Sequence, residues 1–134
     1  MKILLIRPWP FLLDVEKNTY NIQETGLAKA LTRLGHPTDI LFWTDGEERT
    51  VNIPIEGSEP VRVFYRRGIA ALKNAWFLHI DQLAQSYDIL QSAEYNQMFS
   101  WYLAGRYPKK TVIYHGPYYS AFNRNYNRMC AVFD

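Results

Sequence analysis

The chain has 134 residues, enough for one domain with a hydrophobic core and too few for two ordinary domains. Its residues are 48% hydrophobic and 21% charged, a composition that excludes an intrinsically disordered chain. The formal net charge of +2, with no long block of Lys or Arg, gives no indication of a nucleic-acid partner.

The first 44 residues have the pattern of a βαβ unit. An apolar run over residues 2–6 predicts the first strand, and residues 25–36 predict a helix that ends at Gly35. Residues 39–43 predict a second strand, apolar enough to be covered on both faces. Helical spacing predicts that the inward face of the helix consists of Gln23, Leu27, Ala28, Leu31 and Leu34.

The middle of the chain contains turn residues and a second helical pattern. Residues 45–60 predict a loop or short hairpin at the sheet edge, with a brief strand over residues 51–55, and residues 61–65 predict the third strand. We expect a helical turn over residues 69–75 and then a helix. Its predicted apolar stripe is Trp76, Phe77, Ile80, Leu83 and Ala84.

The later elements complete an alternation of strands and helices. Residues 87–92 predict the fourth strand, residues 95–105 a helix, and residues 111–114 the fifth strand. The alternation predicts a Rossmann-like α/β fold with a doubly wound, mainly parallel sheet of about five strands in the order 3-2-1-4-5. Because residues 129–133 resemble the start of another element, we expect residues 1–134 to be an incomplete domain of a larger enzyme.

Cysteine content and apolar runs bear on location. Cys130 is the single cysteine, so there is no intramolecular disulfide and no thiolate metal site, and a reducing cytoplasm is favoured. The first apolar run is shorter than the core of a secretory signal, and no stretch approaches the roughly 20 apolar residues of a membrane span. We therefore predict a cytoplasmic protein, and leave open a peripheral contact with the inner face of the membrane.

Several enzyme classes are disfavoured because their motifs are missing. The sequence has no GxGxxG, no phosphate-binding P-loop, no HExxH and no GxSxG nucleophile elbow. The three histidines are far apart and have no metal-ligand spacing. We therefore expect neither a dinucleotide cofactor nor a metal.

The position of a ligand site follows from the predicted topology. In a doubly wound sheet the site lies outside the carboxyl ends of the strands, here between strands one and four. Aromatic rings at this rim can bind the apolar faces of sugars, and N–H groups near the start of the first helix favour a phosphate. The candidate residues are Trp9, Tyr20, Asn21, Glu94, His115 and Tyr118.

Each candidate also has a structural interpretation. His115 can donate to a sugar or relay a proton, or it can cap the turn before Gly116. Glu94 can orient a hydroxyl, or it can be an acid in the first turn of the next helix. The aromatic residues can instead pack in a core, which is what we expect for Phe11.

Two segments resemble a known family. Residues 2–6, followed by Gly26-Leu27-Ala28-Lys29-Ala30-Leu31-Thr32-Arg33-Leu34-Gly35-His36, resemble the opening of a family 4 glycosyltransferase of the GT-B fold, whose pattern is LAxxLxxxGHxVxV. Residues 87–91 and 111–115 resemble its later strands, the second of which ends in the family's histidine. Residues 18–21 depart from the Gly-Gly-x-Glu that the family often has before the first helix.

The resemblance implies the N-terminal, acceptor-side half of a retaining glycosyltransferase. Such an enzyme transfers a hexose from a nucleotide-sugar to a glycan, lipid or small-molecule acceptor, and its donor site lies in a C-terminal domain with an E-x7-E motif that these residues lack. By the resemblance, His115 contacts the transferred sugar, the other five candidates contact substrates, and the nucleotide-sugar is a co-substrate with no further cofactor. The 134 residues alone are then expected to be inactive.

The alternative is a non-catalytic domain. A flavodoxin-like regulatory domain or a nucleotide-binding domain has the same alternation of strands and helices. A receiver domain needs acidic residues after strand one and a phosphorylatable Asp after strand three. The sequence instead has Arg7 and Arg66 at these two places, which disfavours that function.

Overall fold

A mostly parallel β-sheet forms the centre of the molecule. The structure, a computed structural model, describes residues 1–17, 22–94 and 96–114. The strands are β1 (Ile3–Arg7), β2 (Thr38–Thr44), β3 (Arg49–Ile55), β4 (Ser58–Ala71), β5 (Asn74–Phe77), β6 (Ile89–Ala93) and β7 (Thr111–Tyr114). The helices are α1 (Gln23–Arg33), α2 (Asp81–Gln85) and α3 (Met98–Arg106).

The strand order is β3-β4-β2-β1-β6-β7, with β5 paired to β4. Five of these strands are parallel, and they correspond to the five predicted ones. In sheet order they are β4, β2, β1, β6 and β7, which matches the predicted order 3-2-1-4-5. Two antiparallel strands, β3 and β5, bring the number in the described residues to seven instead of about five. The arrangement is α/β and compatible with a Rossmann-like fold.

The sheet is covered on both faces. Leu4 and Ile6 of β1 pack in one core cluster with Phe99 and Leu103 of α3. Ile3 and Leu5 point the other way, into a cluster that contains Ala28 of α1. The helices α1 and α3 pack on opposite faces because the strands that follow β1 are added first on one side of it and then on the other. The strand order therefore reverses between β1 and β6, which is where a doubly wound sheet opens a crevice.

The inward face of α1 differs from the predicted one. Thr25, Ala28 and Thr32 are buried, whereas Leu27 is 39% and Leu34 73% exposed. One reason is a hydrogen bond between α1 and β2, in which Thr32 Oγ1 accepts from the Thr38 N–H at 3.2 Å; the Thr25 hydroxyl is satisfied within the helix start, where it donates to the Ile22 carbonyl at 2.7 Å. The two threonines therefore face inward with Ala28 and the partly buried Leu31 of the predicted face, while Leu27 and Leu34 turn outward.

The helical turn predicted for residues 69–75 is wrong, and the helix expected from Trp76 is much shorter. Here β4 continues to Ala71 and pairs with β5, so Trp76 and Phe77 lie on a strand, and only Asp81–Gln85 is helical. Strand alternation explains the same residues, since Ala75 and Phe77 are buried while Trp76 is half-buried. Short apolar runs fit both periods, and here cross-strand pairing decides. The helix predicted at residues 95–105 begins later, at Met98.

A buried polar network closes the edge of the sheet at the amino-terminal ends of its strands. The Asp39 carboxylate, 5% exposed, accepts from the Arg62 backbone N–H at 2.9 Å and from its guanidinium at 2.5 and 3.1 Å. It also accepts from the Tyr87 hydroxyl at 2.5 Å. Burial and the Asp39 carboxylate raise the pKa of Tyr87 well above its ordinary value. The network therefore joins β2, β4 and the segment before β6.

None of the helices in the described residues is long and apolar enough to cross a bilayer.

Candidate functional site

A crevice opens at the carboxyl ends of β1, β6 and β7, beside the N-terminus of α1. We call it the switch-point crevice. Its volume is about 240 Å³. It is lined by Arg7, Trp9, Gln23, Glu24, Ala93, Glu94 and Tyr114.

An ion pair forms one wall of the crevice. Arg7 is the last residue of β1, and its Nη1 lies 3.1 Å from Glu24 Oε2 and 3.3 Å from Oε1. The side chains are 27% and 16% exposed. Glu24 lies in the first turn of α1, where the helix dipole favours a negative charge. Because this turn already carries a carboxylate, it is a poorer phosphate site than the sequence suggests.

Trp9 lies at the mouth of the crevice and is held there by its neighbours. Its ring is 5.6 Å from the Arg7 guanidinium and 6.0 Å from the ring of Phe11. Phe11 is 52% exposed, so the expectation that it packs in the core is wrong. The buried Gln97 side chain, with its amide orientation chosen from its hydrogen-bonding neighbours, accepts from Trp9 Nε1 at 3.2 Å and donates to the Pro8 carbonyl at 2.9 Å.

Glu94 follows β6 in a backbone conformation that is rare for a side-chain-bearing residue. Its φ is +65°, a left-handed value that costs about 1 kcal/mol or more outside glycine. Its N–H donates to the Tyr114 carbonyl at 2.6 Å, and its carbonyl accepts from the Ser100 hydroxyl at 2.9 Å. Since α3 begins four residues later, at Met98, Glu94 is not an acid of the first helical turn. Strain of this kind is typical of functional sites.

The structure brings two of the predicted site residues together. Trp9 and Glu94 both line the switch-point crevice. The other four candidates lie outside the described residues, and their placement stays a prediction: Tyr20, Asn21, His115 and Tyr118.

Sequence reasoning missed the residues that support the predicted pair. Gln97 is one of them, and the polar pair Asn96-Gln97 directly before an apolar helix is a usable signal. The Arg7–Glu24 pair spans 17 positions, and no local pattern indicates it. Tyr114 was assigned only to a strand, yet it lies at the strand end and is 53% exposed.

The crevice continues into an apolar pocket on the α1 side of the sheet. The pocket has a volume of about 290 Å³ and adds mainly apolar walls below the charged mouth. It shares Gln23, Glu24, Ala93 and Tyr114 with the crevice and adds Leu5, Ile6, Leu27 and Gln91. The exposed Leu27, which the sequence placed in the core, is therefore part of a pocket wall.

The chemistry of the crevice combines carboxylate acceptors, an indole ring and an adjoining apolar floor. In the part of the chain that the structure describes, no group of three His, Cys, Asp or Glu side chains is placed to hold a metal ion. Two carboxylates beside one guanidinium suit a ligand with several hydroxyl donors. Comparison of the chain with protein-family models, curated proteins and solved structures gives no match.

Proposed function

We propose that the chain is the N-terminal, acceptor-side half of a retaining, nucleotide-sugar-dependent glycosyltransferase of the GT-B fold, family 4. The observation that carries the proposal is the switch-point crevice, in which Trp9 lies beside two carboxylates. Its position at the carboxyl ends of β1 and β6 is the usual ligand position in this architecture. The resemblance of residues 26–41 to the opening of that family supports the same function.

The lining residues suit a sugar. Carboxylate oxygens accept hydrogen bonds from hydroxyl groups, and Glu24 and Glu94 supply them on two sides of the crevice. The indole of Trp9 offers an apolar face for the C–H side of a pyranose ring. Because Gln97 and Arg7 hold this indole, little side-chain entropy is lost when a ring stacks on it.

The charges favour a neutral acceptor over a phosphate group. Among the described lining residues, the charged side chains are Arg7, which pairs with Glu24, and a second carboxylate, Glu94. A nucleotide phosphate placed here meets a like charge, which disfavours it. In the proposed enzyme the donor nucleotide therefore binds mainly to a second domain, and the hydroxyl acceptor binds to this one. The same charge argues against the alternative of a nucleotide-binding domain.

The four candidates outside the described residues keep their proposed roles within this enzyme. His115, which directly follows β7, contacts the transferred hexose as the catalytic residue. Tyr20, Asn21 and Tyr118 contact the substrates at the same rim. The acceptor is a glycan, a lipid-linked sugar or a small molecule.

Saccharide binding by the 134-residue chain tests the proposal. We would record saturation-transfer NMR spectra and affinities for neutral methyl hexosides and disaccharides, and for uridine diphosphate as the charged comparison. Trp9→Ala should weaken binding of the neutral sugars about tenfold, and Glu94→Gln should weaken it several-fold. Trp101→Ala, on α3 at the opposite face of the sheet, is the matched control and should leave affinity unchanged.

Two results would contradict the proposal. One is equal saccharide affinity in wild type and Trp9→Ala. The other is uridine diphosphate binding that is tighter than that of any neutral sugar and is lost in Glu94→Gln. Sugar transfer from a nucleotide-sugar by the 134 residues alone would contradict the assignment of the donor site to a second domain.

A further inference from the structure

The hairpin formed by β4 and β5 ends in an exposed apolar tip. β4 pairs with β2 only as far as Arg67 and then continues with β5 as its sole partner. Residues 69–73, Ile-Ala-Ala-Leu-Lys, are all exposed, and we call them the hairpin tip. Ile69 is 59% and Leu72 90% exposed. Four consecutive exposed apolar residues are unusual on a protein surface unless they contact a partner.

The turn residues at the tip are not those that the backbone prefers. Leu72 and Lys73 have φ values of +50° and +62°, so both are left-handed, as in the two-residue hairpin turn that favours Asn-Gly. A leucine and a lysine both meet steric resistance there. The turn therefore carries two side chains that its local geometry disfavours, which points to a use for those side chains outside the hairpin.

The tip is held in a fixed position beside the switch-point crevice. The Ala75 N–H donates to the Pro8 carbonyl at 2.9 Å. The Asn74 side chain donates to the Leu72 carbonyl and accepts from the Met98 N–H, both at 2.8 Å. Met98, at the start of α3, is itself 60% exposed. The apolar surface of the tip thus continues onto the N-terminal end of α3.

The hairpin around the tip and α3 carry no acidic residues of their own, and the carboxylate that contacts the hairpin before the tip is that of Glu48, which accepts from the Arg67 N–H at 2.9 Å. Between Glu59 and Asp81 the sequence has four Lys or Arg residues and no Asp or Glu, and α3 contains none either. Arg62 pairs with Asp39 of β2 and Arg66 with Glu48 of the loop before β3, so Lys73 is the cation at the tip itself. An apolar tip with a lysine and no carboxylate is complementary to an anionic, fluid surface.

We infer that the hairpin tip is a membrane contact: Leu72 and Ile69 enter the interfacial region of a bilayer, and Lys73 binds anionic headgroups. A protein partner is disfavoured by size, because five residues are far fewer than the roughly 20–30 per side of a stable protein interface. The contact goes beyond the proposed function and does not depend on it. It places the mouth of the crevice, beside Pro8, near the membrane surface.

Co-sedimentation of the 134-residue chain with vesicles tests the inference. The vesicles are pure phosphatidylcholine, or phosphatidylcholine with phosphatidylglycerol at 3:1. We expect stronger partitioning onto the anionic vesicles. Leu72→Ser should lower the partition coefficient on both about tenfold, and Lys73→Gln about fivefold on the anionic vesicles alone. Leu34→Ser and Lys17→Gln are matched controls on exposed side chains elsewhere, and should bind like wild type.

A double variant separates a structural role from a membrane role. Leu72→Asn with Lys73→Gly gives the turn its preferred residues, so the chain should become more resistant to urea while losing vesicle binding. The inference is overturned if no vesicle binds the chain, if Leu34→Ser reduces binding as much as Leu72→Ser, or if the double variant binds like wild type. It is also overturned if size-exclusion chromatography shows a dimer that Leu72→Ser converts to a monomer.

Discussion

Replacing Asp39 by asparagine should destabilise the protein strongly without changing the volume of the side chain. The Asp39 carboxylate is 5% exposed and accepts four hydrogen bonds, three from Arg62 and one from Tyr87. In the variant one amide oxygen can still accept from the backbone N–H of Arg62. The amide nitrogen, however, faces the guanidinium and the Tyr87 hydroxyl, which are themselves donors.

The size of the loss in free energy of unfolding depends on how well water can solvate the groups that Asp39 no longer binds. Breaking a fully buried ion pair costs about 3–5 kcal/mol. The Arg62 side chain is 43% exposed, so water can solvate part of the released charge and reduce that cost. We therefore expect the free energy of unfolding to fall by about 2–3 kcal/mol.

Urea denaturation followed by circular dichroism measures this loss. Asp45→Asn, a change at an exposed loop position, is the control and should lie within about 0.5 kcal/mol of wild type. A double-mutant cycle with Arg62→Gln should show that the two losses are not additive. A fall of less than about 0.5 kcal/mol for Asp39→Asn, or additive losses in the cycle, would refute the role assigned to the network.

Three further predictions test other parts of the fold. Gly68→Ala places a Cβ 2.4 Å from a carbonyl oxygen of β5, so it should lower the free energy of unfolding by about 2 kcal/mol. Gly26→Ala in α1 meets open space, so it should raise the free energy of unfolding by up to about 1 kcal/mol. Equal effects of the two substitutions in urea denaturation would contradict this prediction. Burial, and then a hydrogen bond to a carboxylate of α2, raise the pKa of Tyr107 to about 12. The stability that the Tyr107 proton contributes is therefore complete below about pH 10 and is lost as the pH rises towards 12. The difference between the absorbance titrations of wild type and Tyr107→Phe should show one late-ionising tyrosine. Its absence would count against the hydrogen bond. Leu34→Ala should change the free energy of unfolding by less than about 0.5 kcal/mol, because Leu34 is 73% exposed; a fall of about 2 kcal/mol or more in urea denaturation would restore Leu34 to the buried face of α1.

The parallel core of the sheet could be predicted because apolar runs bounded by turn residues alternate with helical patterns along the chain. The strand at residues 3–7 is almost wholly buried, and a strand covered on both faces is apolar at every position. The right-handed crossover rule then leaves few arrangements for such strands. The order 3-2-1-4-5 is taken from the doubly wound class, to which the alternation of strands and helices points.

The candidate site was predictable in position and not in composition. The rule that ligands bind at the carboxyl ends of strands led to Trp9 and Glu94, and both line the crevice. The Arg7–Glu24 pair and the contact of Gln97 with Trp9 join residues that are 17 and 88 positions apart. Such contacts exist only when separate elements meet in space.

By itself, the sequence determined the α/β class, the order of the parallel strands and the edge of the sheet where the switch-point crevice lies, since burial and periodicity act locally. Only the tertiary structure decided which face of α1 is buried, and that residues 69–77 form a hairpin. In both places an apolar pattern fitted two arrangements. Hydrogen bonds between elements selected one arrangement in each place: the Thr38 N–H of β2 donates to Thr32 Oγ1 of α1, and β4 pairs with β5.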